Sequence, residues 1–128
     1  MKSLIDGSIT KIRSACFGVV DVRDVALAHV NAQNAEDLGQ PNIFGQHRFI
    51  LSSSEGVEFY KIGVLAKEFD DLSAYPIPTL PDSDNSPHPI SYSNEKARKV
   101  LGIQFRPLSE TIHDGLRSLI EFGVVSKK

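Results

Sequence analysis

Tyr92 and Lys96 stand four residues apart in the run Ser91-Tyr92-Ser93-Asn94-Glu95-Lys96. On one helical face, that spacing lets an ammonium lower the pKa of a phenol so that it can exchange a proton with a substrate oxygen. The chemistry needs both side chains inside the helix. Ser93, however, is a favoured N-cap residue, which leaves Tyr92 ahead of the first turn, so the match is read as coincidence and no catalytic residue is assigned. Asp21 and Asp24 are the next groups that could act as acid or base. Both fall where an apolar-periodic run begins, and a carboxylate that accepts first-turn amides has its pKa lowered, the wrong direction for proton transfer at neutral pH. They are read as caps, Asp24 completing a variant of the capping box.

Other chemistry is excluded by spacing. Asp82-Ser83-Asp84-Asn85 opens like a calcium loop, but Pro87 and Ser93 occupy the positions that need a glycine and a bidentate acid. His29, His47, His88 and His113 are too scattered for a metal motif. No glycines are spaced for a phosphate-cradling turn, and neither a P-loop nor a Gly-x-Ser-x-Gly elbow occurs. No metal ligand and no cofactor-binding residue is therefore assigned.

The elements that would position these residues can be read from periodicity. Met1 to Ile5 reads as a turn of helix closed at Asp6-Gly7, and 8–16 leads as a loop or short strand pair into a buried strand through Phe17, Val19 and Val20. Asp21 then opens a helix whose buried face is expected to carry Val22, Val25, Ala26, His29 and Val30, with Ala28 and Ala32 leaving room and Arg23, Asn31 and Asn34 opposite. His29 is expected to pack there bonded to a backbone group, and Arg23 to pair with a carboxylate across the sheet. A polar loop over 34–45, including Glu36, Asp37 and Gln40, precedes a strand from His47 to Leu51 that reads as buried on both faces. Ser52, Ser53 and Ser54 end it, either as caps for the next helix or facing a ligand beyond the strand.

The second helix is expected over 57–69, with Phe59, Ile62, Leu65, Ala66 and Phe69 on one face and Gly63 marking a close approach. A proline-rich irregular stretch, 70–90, follows. Ser93 caps a helix from Asn94 to Leu101, with an exposed Glu95–Lys99 pair and Gly102 at its end. Pro107 starts the last helix, striped by Leu108, Ile112, Leu116, Leu119 and Ile120 and closed by Gly123, and 124–128 reads as a tail.

At 128 residues the chain can build a core, and its net charge of -2 with interspersed signs leaves no footprint for nucleic acid or an acidic membrane. Cys16 is the only cysteine, which rules out an internal disulfide and fits a reducing compartment. No run resembles a signal peptide or a membrane span, so a cytoplasmic protein is expected.

Two ordered segments carry a family resemblance. Val20-Asp21-Val22-Arg23-Asp24-Val25-Ala26-Leu27-Ala28-His29-Val30-Asn31-Ala32 resembles the strand-to-helix signature of extended short-chain dehydrogenase/reductases, within the NAD-dependent epimerase/dehydratase superfamily. Within them the dihydroflavonol and cinnamoyl-CoA reductase branch is the most similar. Ser91 to Gly102, then Phe105 to Ile112 and a last helix, resemble that branch's closing segment. The family's catalytic tyrosine–lysine pair precedes the first of these segments, whereas Tyr92 and Lys96 follow it, which again sets that pair aside.

The resemblance implies an α/β fold: the C-terminal, substrate-binding part of a Rossmann-like reductase, with few short strands and about four helices over 1–128, lacking the N-terminal nucleotide-binding half. It implies NADP or NAD as cofactor and a small-molecule carbonyl or secondary alcohol as substrate. The chain alone is expected to be inactive and to bind cofactor weakly or not at all. Tyr75 in the proline-rich loop is the candidate substrate-binding residue, by analogy with the family's variable loops. A non-catalytic α/β module that self-associates or pairs with another chain is the alternative.

Overall fold

The computed structural model describes residues 1–35, 47–84 and 87–126. Glu36, Asp37, Gln40 and Asn85, read above as loop residues, lie outside that set. Among the described residues, five helices and a two-stranded antiparallel sheet follow in the order α1 (Lys2–Ile5), β1 (Cys16–Phe17), α2 (Val22–Asn34), β2 (Val57–Glu58), α3 (Phe59–Ala66), a 3-10 turn at Asp70–Leu72, α4 (Glu95–Leu101) and α5 (Leu108–Glu121).

Packing begins at α1, which buries Leu4 and Ile5 and turns away at Gly7, whose φ of +84° suits glycine. The chain then drops Ile12 into the core and ties it to the proline-rich stretch, the Ile12 amide donating to Leu80 O and the Asp82 amide to Ile12 O. Ile62 and Ala66 of α3 meet Ile112 and Leu116 of α5 over the same core, which also holds Leu72, Tyr75 and Ile77. A smaller cluster of Ala28, Leu101 and Ile103 joins α2 to α4 and the segment after it. Gly63 is a close approach, as its place in the helix suggested: a Cβ there would strike Pro78 O and come within 2.8 Å of Ile12 Cδ1.

Several expectations are corrected. The opening strand is only Cys16–Phe17, in register with Glu58 and Val57. Beyond it the Val19 carbonyl accepts from the Ser53 amide at 2.7 Å, with no ladder continuing from it among the described residues. The stretch from His47 to Leu51 is not strand, and Ile50 is exposed rather than buried. Ser52 to Ser54 do not cap α3, whose N-cap is Glu58. The expected helix over 57–69 divides into β2 and α3, which ends at Ala66, and the 3-10 turn at Asp70–Leu72 falls in the stretch read as irregular. Asn94, not Ser93, precedes α4, its amide held by Ser52 O at 2.7 Å. The tail is partly docked, since Val125 is buried and its amide donates to Leu119 O.

The largest correction concerns α2, which lies with the expected face outward. Val22 is 77% exposed and Val30 54%, and Ala26 and His29 are exposed with them. Buried instead are Asp24, Ala28 and, in part, Asn31, spaced four and three apart on the opposite side. The cause is polar. Asp24 accepts from the Arg106 amide at 2.8 Å and from its guanidinium, and Asn31 Nδ2 donates to Leu101 O at 2.7 Å. A buried polar group with partners holds its place, while rolling the helix would strand it.

Candidate functional site

Where extended backbone leaves β1 and enters α2, Asp21 is the N-cap and accepts from the Arg23 amide at 2.9 Å. The same carboxylate takes Arg23 Nε at 2.9 Å and Nη2 at 2.7 Å, and the Thr111 hydroxyl of α5 at 3.0 Å. Arg23 then reaches Glu110 at 3.3 Å and Asp114 at 2.9 Å, on successive turns of α5. Arg106 bridges Asp24 and Glu110, the latter at 3.3 Å. Two guanidiniums thus clamp four carboxylates and fasten α2 to α5. The Arg23 guanidinium bonded to it, above all, holds Asp21 well below the usual carboxylate range, with the Thr111 hydroxyl adding to the effect against the desolvation of burial. Arg23 is pushed upward in turn, chiefly by Asp21.

This clamp forms the polar rim of a cavity of about 650 Å³. The rim is Asp21, Arg23, Thr111 and Asp114; the walls are apolar, with Phe17 and Val20 before α2, Phe59 and Ile62 from α3, and Ile112 from α5. Phe17 and Phe59 meet edge to face with centroids 5.2 Å apart. An apolar body with a polar head fits such a lining. The clamp offers orientation and charge but no proton shuttle, because Asp21 is driven away from neutral pKa.

The residues singled out in the sequence are distributed as follows. Asp21 caps α2 as expected. Asp24 makes no capping box; it is 1% exposed and bound to Arg106. Arg23 pairs with carboxylates as expected, not across a sheet but with Asp21 at the start of its own helix and with Glu110 and Asp114 of α5. His29 bonds a backbone group, its Nδ1 2.8 Å from Val25 O, but it is exposed rather than packed. His113 stacks on Phe69 with Nε2 3.0 Å from Asp71. The Tyr92 hydroxyl accepts from the Gly18 amide at 3.0 Å, while Lys96 Nζ donates to Arg48 O and lies 4.6 Å from the centre of the Phe49 ring. The two are thus engaged by different partners. Tyr75 is 4% exposed in the main core, in one cluster with the cavity residues Ile62 and Ile112. Ser52 is buried with no hydrogen-bond partner for its hydroxyl among the described residues, pressed against Gly18. Asp82 Oδ1 accepts from the Ser14 amide at 2.8 Å, a loop-to-loop tie. Among the described residues no group of three or more His, Cys, Asp or Glu could hold a metal ion, and no helix is long and apolar enough to cross a membrane.

Sequence reasoning missed Arg106, Glu110, Thr111 and Asp114. One signal was present: Glu110 and Asp114 are like charges at i,i+4, unfavourable on a helix unless a cation lies between them.

A dinucleotide's pyrophosphate needs free amides at a helix N-terminus. Here both helices that follow a strand, α2 and α3, carry a carboxylate at that end, Asp21 and Glu58. At α2 the Asp21 carboxylate already occupies a first-turn amide, so that turn does not fit a dinucleotide phosphate.

No family model matches the chain. It is similar to cinnamoyl-CoA reductase 1 of Arabidopsis thaliana, 33% identical over 121 residues, which are 93% of this chain and 32% of that protein. The NADPH-dependent methylglyoxal reductase of Saccharomyces cerevisiae is 33% identical over 116 residues, 88% of this chain and 32% of the relative. A ketoreductase of Aspergillus niger is 33% identical over 106 residues, 82% of this chain and 29% of its own. In fold, a solved reductase structure superposes with a TM-score of 0.59 at 22% identity, covering 93% of this chain and 34% of that one. The chain thus spans about a third of the length of the curated relatives it matches.

Proposed function

This chain belongs to the extended short-chain dehydrogenase/reductases of the NAD-dependent epimerase/dehydratase superfamily, and from that premise we propose that it is the pocket-forming, C-terminal part of an NAD(P)-dependent reductase acting on a carbonyl or CH–OH group. The observation that carries the proposal is the cavity of about 650 Å³, apolar in its walls and charged along one rim. A small carbonyl compound would place its apolar body against Phe17, Phe59 and Ile112 and its polar end near Thr111 and Arg23. Tyr75, in this reading, supports the cavity from the core through Ile62 and Ile112. NADP or NAD is the cofactor, held by residues outside this chain, and the setting is cytoplasmic.

Alone, the chain is expected to turn nothing over. The test is fluorescence titration with NADPH, a carbonyl-reduction assay, and amide-shift mapping with benzaldehyde. Shifts at Phe17, Phe59 and Thr111 without turnover are the expected result. Micromolar NADPH binding with turnover would overturn the view that the chain lacks the nucleotide-binding half; absence of any shift at the cavity would overturn the pocket assignment. A second reading, a non-catalytic module that associates with another chain, is favoured by the outward apolar face of α2. Light scattering after gel filtration addresses it, because a stable monomer that recruits nothing argues against association.

A further inference from the structure

We infer that the outward face of α2, carrying Val22, Ala26 and Val30, is the seat on which the part of a reductase not spanned by these 128 residues docks. The inference deepens the proposed function by naming the surface and the occupant, and it rests on that reading's premise that a pocket here is completed by more polypeptide.

Three observations converge. First, the three residues recur every four positions along one side of α2, and all are exposed, with the valines 77% and 54% accessible. An aligned row of this kind is an interaction surface rather than the scattered apolar exposure of ordinary protein surface. Second, the face cannot be buried by a roll of its own helix. Asp21 is held by Thr111, Asp24 by Arg106 and Asn31 by Leu101 O, all on the inner side, so turning the stripe inward would leave buried polar groups without partners. The cover must come from outside. Third, Val22 lines the cavity together with Met1 and Phe17, so stripe and cavity share an edge. Material seated on the stripe would also wall the cavity, and ligand pockets form preferentially at such seams.

The length relation identifies the occupant. Relatives that match nearly all of this chain extend over three times its matched span, and a solved reductase superposes on it over 34% of its own length. The other two thirds of such a protein need a surface to pack on, and the α2 face supplies one beside the pocket.

The experiment co-expresses the 128-residue chain with a tagged polypeptide comprising the two thirds of the Saccharomyces cerevisiae methylglyoxal reductase that it does not match. The expected result is a soluble one-to-one complex. Val30→Asp should lower the recovered chain at least about tenfold, whereas Leu80→Asp, at an exposed apolar side chain lining a different cavity, should not change it. Circular dichroism of both variants alone should match the unchanged chain, since neither side chain is buried. Failure to recover a complex, or a complex indifferent to Val30→Asp, overturns the inference. So does a homodimer of the chain that Val30→Asp dissolves, which would assign the face to a second copy. Activity is not read, so a complex that forms but reduces no carbonyl leaves the docking surface standing and counts only against the redox reading.

Discussion

Asp24→Asn tests whether polar anchors set the roll of α2. The wild-type carboxylate is 1% exposed and accepts both the Arg106 amide and its guanidinium. An asparagine can still accept from the amide through Oδ1, so the variant removes one charge-assisted interaction rather than the whole contact. Breaking a fully buried ion pair costs about 3–5 kcal/mol. Arg106 retains 34% of its exposure and a second partner in Glu110, so the freed guanidinium is not stranded and the cost falls below that range, to roughly 2–3 kcal/mol. At about 2.1 cal/mol/K of unfolding entropy per residue, this corresponds to a fall in Tm of about 7–11 °C. Arg106→Gln should be worse, at roughly 3–5 kcal/mol, because it leaves the buried member of the pair without its cation. Urea unfolding of both singles and the double variant gives the coupling, and the double should cost well under the sum. Additive effects, or an Asp24→Asn loss below about 0.5 kcal/mol, would refute the claim that this pair fixes the helix.

Three further outcomes follow from local geometry. Gly63→Ala gains about 1 kcal/mol of helix propensity, yet its methyl would strike the Pro78 carbonyl, which is backbone and cannot step aside; a net loss of about 1–3 kcal/mol in urea unfolding is expected. Ser52→Ala removes a buried hydroxyl that has no partner and should be neutral or stabilising by up to about 1 kcal/mol in the same assay. Asp21 is depressed in the folded state from an ordinary 3.8, so the unfolded chain takes up its proton first, and the stability it contributes is present above that value and lost as pH falls below it. Asp21→Asn should therefore flatten the acid limb of the Tm–pH curve below about pH 4; an unchanged limb would remove Arg23 and Thr111 as the cause.

The helices were legible because their signals are local. Asp21 caps α2, Gly102 and Gly123 take positive φ after α4 and α5, and the α5 stripe buries Ile112 and Leu116 as its spacing requires. The close approach at Gly63 was legible for the same reason, an unfavourable residue in a helix needing a packing cause. Strands were not, because a run such as Phe49-Ile50-Leu51 declares apolar character but not a partner, and a strand exists only where another backbone supplies its ladder. The clamp was illegible for a related reason. Arg23 and Asp114 are far apart in sequence, and which of several surface charges meet is decided by how α2 and α5 cross, not by anything either helix encodes alone.

The inverted α2 shows why an apolar stripe by itself does not identify a buried face. Both sides of this helix carry helical periodicity: Val22, Ala26 and Val30 on one, Asp24, Ala28 and Asn31 on the other. Hydrophobic burial is non-directional and could be satisfied by any apolar cover, whereas Asp24 and Asn31 are satisfied only by donors and acceptors at fixed positions. Within these residues the specific interactions therefore decide the orientation, and the non-specific ones are left for whatever arrives from outside. The same division runs through the cavity. Its carboxylates are engaged by arginines and Asp21 is held ionised, so what these residues bring to the cavity is shape, an apolar wall and a fixed field, while any proton movement there requires groups that the clamp has not already committed.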